Sequence, residues 1–282
     1  MKTIAICNQK GGVAKTTSAI NISAYLALKG KRTLLIDLDP QANATSGLGI
    51  NKGQLQYSIY NVLHEQTKLE QAIRDTEIEL LSVAPSNINL TGAEVELVSA
   101  IGREHKLRKA IQEMSGKYDF VIIDCPPSLG LLTVNALTAA DSVIVPIQCE
   151  YYALEGLGQL MKTIKLITEN LNGRLVVEGV LMTMADLRAN LTKEVIEEVK
   201  KFFGGKVYKT IIPRTIKLTE APGFGKPIAL YDGRSLGAKK YESVVDEILG
   251  INQIAPLSDN ESTQTIATKE VITEEAHGEE IR

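Results

Sequence analysis

The sequence predicts an α/β fold, a doubly wound and mostly parallel sheet. Short runs dense in Ile, Val and Leu recur through residues 1–250 with little polar alternation, the mark of strands buried on both faces. Longer segments with helical periodicity separate these runs, as crossovers between parallel strands require. A turn rich in glycine and lysine follows the first run directly and opens a helix, which is the context of a phosphate cradle.

In chain order, Thr3–Cys7 is the first strand and Thr16–Lys29 the first helix. Arg32–Asp37 follows as a Thr-Leu-Leu-Ile run that ends in an acid. Residues 50–115 are less regular, with a strand at Ile78–Ala84 and a helix at Glu104–Ser115, and read as a loop-rich insertion. Asp119–Asp124 is a second apolar run ending in an acid, and the helix Gly130–Ala139 comes after it. The pattern continues with strand Ser142–Ile147, helix Ala153–Leu171, strand Leu175–Met182 and helix Leu191–Phe203. A last strand at Lys206–Ile212 and the helix Leu236–Leu249 close the body. No repeat or linker interrupts residues 1–250, so one domain is expected there.

The chain of 282 residues carries a net charge of −3, unevenly placed. Residues 253–282 hold seven acids against Lys269 and Arg282, a charge of −5, which leaves +2 on residues 1–252. This acidic C-terminal stretch, 251–282, has no aromatic residue and only scattered apolar ones, so it is expected to be a disordered tail. Three cysteines, Cys7, Cys125 and Cys149, show no C-x-x-C spacing, which fits reduced thiols and argues against zinc. No run of 18 apolar residues occurs, and a cytoplasmic protein without a membrane segment is expected.

The chemistry concentrates in Lys10-Gly11-Gly12-Val13-Ala14-Lys15-Thr16-Thr17. Glycines let backbone N–H groups converge on an anion, and the helix that follows adds its N-terminal dipole. Lys15 is placed to reach β/γ-phosphates and the Thr16 hydroxyl to ligate Mg²⁺. The ordinary G-x-x-x-x-G-K-[ST] pattern fails, because Gln9 and Ala14 stand where it needs glycine. The deviant form K-G-G-x-x-K-T fits, with Lys10 five residues before Lys15. A glycine-rich turn with solvent-facing lysines would explain the loop alone, but not the acids that accompany it.

Those acids stand at strand ends. Asp37 and Asp39 leave the carboxyl edge of the second strand, where they are expected to face the phosphates. Phe120-Val121-Ile122-Ile123-Asp124 followed by Cys125-Pro126-Pro127 matches the Walker B arrangement, in which a carboxylate holds Mg²⁺. A strand-end Asp that merely caps a turn is the bland alternative for any one of them. Three such carboxylates beside a glycine-lysine loop point to hydrolysis of Mg²⁺·ATP.

With these motifs and Leu35–Asn43, Gln148–Gly156 and Glu220-Ala221-Pro222, nearly all of residues 1–250 resembles the ParA/MinD family of deviant Walker ATPases, most closely its Soj-type chromosome or plasmid partition members. The resemblance implies an ATP-dependent homodimer in which Lys10 reaches the nucleotide of the other subunit. It also implies that Asp39 positions the attacking water, that Asp124 orients the magnesium shell through water, and that Lys15 and Thr16 serve phosphate and metal. Pro213 and Thr215 would border the adenine. Ala14 departs from the family's usual glycine, and the geometry of a helix start is expected to admit it.

Relatives of this type bind double-stranded DNA non-specifically through basic residues matching Arg188 and Lys217, and associate with the nucleoid. They answer to a ParB/Spo0J-type centromere-binding protein that stimulates hydrolysis. A lone surface Arg or Lys is ordinarily just a solvated charge, so only the resemblance singles these two out. Three alternatives stand. A MinD-like membrane-cycling ATPase involved in positioning would need a basic amphipathic C-terminal helix, and the tail here is acidic. A reductase like the nitrogenase iron protein would use paired cysteines for a cluster, whereas Cys7 and Cys149 read as strand-end apolar residues and Cys125 as a small buried thiol. A kinase or ligase acting on a small molecule would need a substrate domain that is not evident. Tyr151 and Tyr152 are expected to pack at the crevice edge.

Overall fold

The structure is a computed structural model that describes residues 1–150 and 157–251. Within them, strands β1 (Lys2–Ile6), β2 (Thr33–Asp37), β3 (Arg74–Asp75), β4 (Leu81–Ala84), β5 (Phe120–Asp124), β6 (Ser142–Gln148) and β7 (Val176–Thr183) form one sheet. Their order is β3-β4-β2-β5-β1-β6-β7, and every neighbouring pair is parallel except β3 with β4. The helices in the first half are α1 (Lys15–Leu28), α2 (Asn43–Gly47), α3 (Ile59–Leu63), α4 (Leu69–Ala72), α5 (Leu90–Glu96), α6 (Lys106–Gln112) and α7 (Leu131–Ala139). Those in the second half are α8 (Leu157–Asn170), α9 (Asn190–Phe203), α10 (Ile216–Glu220), α11 (Ile228–Asp232) and α12 (Leu236–Leu249).

Strand pleating divides the core in two. Ala5, Leu34, Ile36, Val121 and Ile123 face one layer, where α3–α9 cover the sheet. Ile4, Ile6, Leu35, Ile122 and Ile144 face the other, beneath α1, α2 and α10–α12. Both layers exclude water from the central strands, which is why β1, β2 and β5 read as unbroken apolar runs. Truncating one of these isoleucines to alanine is expected to cost about 2–5 kcal/mol.

α1 has apolar or small residues on every side because the sheet covers one face and α12 the other. Two of its polar side chains are consumed inside the core. Ser18 Oγ pairs with the Tyr241 hydroxyl at 3.1 Å, and Asn21 Oδ1 accepts the Ile228 amide at 2.8 Å.

Three sequence expectations change. Lys206–Ile212 is not a strand: Tyr208 and Ile212 donate their amides to Val180 and Met182 of β7, but the Glu247 carboxylate takes the amides of Lys209 and Thr210 between them, each at 2.8 Å. The segment is extended yet tied to α12 as much as to the sheet. The strand expected at Ile78–Ala84 starts at Leu81, because Leu80 turns through a positive φ of 68°. The loop-rich stretch 50–115 holds, besides the strand and the Glu104–Ser115 helix expected there, the antiparallel edge strand β3 and the three short helices α3, α4 and α5.

Candidate functional site

The loop after β1 is braced by the next two strands along the sheet, β6 and β7. Asn8 donates its side-chain amide to Pro146 O of β6 at 2.7 Å and accepts the Lys10 amide at 3.0 Å, while the Thr183 hydroxyl of β7 donates to Val13 O at 3.1 Å. Gly12 lies at φ 74°, in the left-handed region that favours glycine. Ala14 lies there too, at φ 65° and ψ 32°, as the residue before α1. The expectation that ordinary helix-start geometry admits alanine is therefore corrected: the backbone takes the glycine conformation and Ala14 bears its strain.

Lys15 opens α1 and is 7% exposed, its ammonium hydrogen-bonded to Lys10 O at 3.0 Å. Burial holds its pKa below the ordinary lysine value, against the pull of Asp124, Cys7, Cys125 and Asp39 around it. Thr16 and Thr17 are half-buried on the first turn.

Three carboxylates meet this loop in different ways. Asp37 and Asp124 end adjacent strands in register, and both are fully buried. Asp37 was expected to face the phosphates, but both of its oxygens are taken by the protein. Its Oδ2 accepts the Thr45 amide and hydroxyl, each at 2.7 Å, and its Oδ1 accepts the Asp39 amide at 3.2 Å, so it fastens α2 to the end of β2. Burial pushes its pKa up to about 6. Asp124 is the opposite case, with neither oxygen hydrogen-bonded to protein. Burial and then the neighbouring Asp37 raise its carboxyl well above the usual range. A buried carboxylate without a donor, beside the Thr16 hydroxyl and the Lys15 ammonium, is a donor set that suits a hydrated divalent cation next to phosphate. Asp39 is 8% exposed and keeps one oxygen on the Gln41 amide at 2.9 Å.

Beside the loop is a cleft of about 440 Å³ that includes Ala14, Thr17, Met184, Pro213, Thr215 and Tyr241 in its lining. Pro213 and Thr215 thus line one wall, and Thr215 also caps α10 by accepting the Leu218 amide. Met184 at φ 51° and Tyr241 from α12 are among the lining residues that sequence reasoning missed, since no local motif marks either. Thr45 was missed as well, though it stands eight residues after Asp37 in the same conspicuous stretch.

Lys10 is half-buried and lies 3.9 Å from Glu150, which also takes Arg214 at 3.3 Å. The bridge between Ala185 and Pro213 brings the segments of Arg188 and Lys217 side by side. Both are occupied by local acids, Arg188 with Asp186 at 3.0 Å and Lys217 with Glu220 at 3.1 Å. Cys7, Cys125 and Cys149 are free and buried, and no cluster of three metal-ligating His, Cys, Asp or Glu occurs among the described residues. Tyr151, Tyr152 and the tail 252–282 lie outside the described residues.

Residues 1–177 match the AAA domain family. The chain is 56% identical over 247 residues to the sporulation initiation inhibitor protein Soj of Bacillus subtilis strain 168, covering 88% of this chain and 98% of that protein. It is 52% identical over 248 residues to the chromosome partitioning protein ParA of Myxococcus xanthus strain DK1622, covering 88% of each. Among solved structures, it superposes on the cobyrinic acid a,c-diamide synthase of Mycobacterium smegmatis, crystallised with bound ADP and magnesium, with a TM-score of 0.79 at 39% identity. That match covers 88% of this chain and 94% of the other.

Proposed function

Since the chain belongs to the Soj/ParA family of chromosome-partitioning ATPases, we propose that its ATP-bound form is a dimer that holds DNA without sequence preference and releases it when a ParB-type partner accelerates hydrolysis. It is an ATP hydrolase of the partition type, and ATP with Mg²⁺ is its substrate form. The observation that carries the proposal is Asp124, fully buried at the end of β5 with both oxygens unpartnered.

Hydrolysis here is phosphoryl transfer by positioning and charge neutralisation. The loop amides and Lys15 bind the phosphates, and Thr16 and, through water, Asp124 would hold Mg²⁺, which would supply charge neutralisation when bound. Asp39 orients the attacking water, and Pro213 and Thr215 border the base. Lys10 of each copy reaches the nucleotide of the other, so the site is complete only in the dimer. Arg188 and Lys217 contact DNA phosphates once Asp186 and Glu220 give way to them, which makes binding salt-dependent. Residues 1–250 form the ATPase unit, working in the cytoplasm on the nucleoid.

Phosphate release tests this reading. The chain alone is expected to turn over slowly and to accelerate several-fold with random-sequence DNA plus the partner, and Lys10→Ala and Asp39→Ala are expected to abolish the acceleration. Fast turnover of the chain alone, indifferent to both additions, would contradict it and favour a small-molecule enzyme.

A further inference from the structure

We propose that residues 270–280 of the acidic tail dock on the lysine-rich face that residues 200–209 of the same chain present. Residues 200–209 hold Lys200, Lys201, Lys206 and Lys209 with no acid, and no other ten consecutive residues of the chain carry as much positive charge. Residues 270–280 hold Glu270, Glu274, Glu275, Glu279 and Glu280 with no Lys or Arg. Lys200 and Lys201 lie in the last turn of α9, where a cation offsets the helix dipole, but Lys206 and Lys209 come after it and have no such use. All four are exposed. Among the described residues Lys200 pairs with Glu197 at 3.1 Å, and the other three make no ion pair.

This face lies where the tail begins. A cavity of about 410 Å³ is lined both by Lys206, Tyr208 and Lys209 and by Ile248, Leu249 and Gly250. A second cavity, of about 450 Å³, shares Tyr208 and Lys209 and extends to Ile196 and Lys200 of α9. Gly250 closes α12 at φ 71°, and the Ile251 amide returns to Asp246 O at 3.0 Å, so the chain leaves α12 at the rim of the first cavity. The two acids that line this cavity are spent on the protein's own donors. Glu178 accepts the Lys2 ammonium and the Ser142 hydroxyl, and Glu247 accepts the amides of Lys209 and Thr210. The lysine charge is left to be met from elsewhere.

The face is also fixed in place, since Glu247 ties residues 209 and 210 to α12, and Tyr208 lies so close to Gly179 of β7 that no Cβ would fit there. It offers apolar area besides charge: Val207 and Tyr208 are half-buried, and Phe202 is 62% exposed. Val271 and Ile272 stand among the tail's acids to meet it. The eighteen residues from 252 to 269 can span up to about 60 Å, ample for a return to the rim from which they start. One exposed ion pair is worth little, but several on one tether act at an effective concentration on the order of millimolar. The tether selects the tail as the occupant, and an outside polyanion has to displace it.

Carbodiimide coupling of the full chain at low salt, which joins a lysine to a carboxylate without a spacer, tests the contact in an equal mixture of isotope-labelled and unlabelled chains. Cross-links from residues 270–280 to Lys200, Lys201, Lys206 and Lys209 are expected to exceed those to the exposed Lys162 and Lys239 at least tenfold, to join chains of one isotope only, and to fall as salt rises. Acetylation of Lys206 and Lys209 is expected to quicken at least threefold in the full chain carrying Glu270→Gln, Glu274→Gln, Glu275→Gln, Glu279→Gln and Glu280→Gln, with Lys162 and Lys239 unchanged. Tail cross-links spread evenly over all these lysines, or acetylation unaltered by the five changes, would overturn the docking. Cross-links between labelled and unlabelled chains would move the tail to a second copy and overturn the same-chain contact. Protection that survives the five changes but is lost on nuclease treatment would give the face to nucleic acid instead.

Discussion

At the scale of single residues, the site stores cost at Ala14 and Asp124. Alanine at φ 65° costs about 1–2 kcal/mol relative to a right-handed residue, partly offset against glycine by the greater chain entropy that glycine loses on folding. Ala14→Gly is expected to stabilise the protein by about 0.5–1 kcal/mol in denaturant unfolding, with ATP affinity changed little. ATP binding made far tighter by that change would mean that the methyl group obstructs the phosphates. Asp124 carries a different cost. Its folded pKa is raised by burial and by Asp37, so above the unfolded value of about 3.9 the folded state resists ionisation and loses stability as pH rises. The nucleotide-free Asp124→Asn variant is therefore expected to be more stable than wild type at pH 7, with the advantage shrinking as pH falls toward about 4, and to have lost ATP hydrolysis. An advantage independent of pH would remove ionisation as the cause. The place of Lys15 and Thr16 at the start of α1 was legible from the motif spacing, and that of Asp124 from the apolar run it ends, whereas the commitment of Asp37 to Thr45 was not, since nothing in the sequence says which strand-end acid is already hydrogen-bonded.

At the scale of elements, the segment before Pro213 depends on one distant side chain. Glu247 of α12 binds the amides of Lys209 and Thr210, and the next residues, Pro213 and Thr215, line the cleft. Glu247→Ala is expected to lower stability by about 1–2 kcal/mol, to speed hydrogen exchange at Lys209 and Thr210, and to weaken ATP binding. Unchanged exchange at those two amides would show that the segment holds itself. This contact also explains a failed expectation: 206–212 has strand composition, but its partner for two amides stands 37 and 38 residues away. β1, β2 and β5 were readable because burial on both faces leaves only apolar residues there. β3, two residues long and paired antiparallel to β4, leaves no periodic trace that could be read.

At the scale of the whole molecule, one edge of the sheet gathers the phosphate loop, the three carboxylates and the cleft at Pro213, and the bridge from Ala185 to Pro213 joins the segments that lead to Arg188 and Lys217. On the proposed reading, a molecule arranged this way would link the nucleotide to two surfaces, one for a second copy and one for DNA. Each basic residue is paired with an acid in the single chain, so binding should be weak until dimerisation doubles the number of phosphate contacts. The most direct measurement is the affinity for random-sequence duplex DNA at one fixed salt concentration, with ATP and with ADP, for wild type, Lys15→Ala and Asp39→Ala. Tight binding with ATP alone, lost in Lys15→Ala and retained in Asp39→Ala, is the predicted result, and equal affinity with ATP and ADP, or no binding in any state, would contradict it.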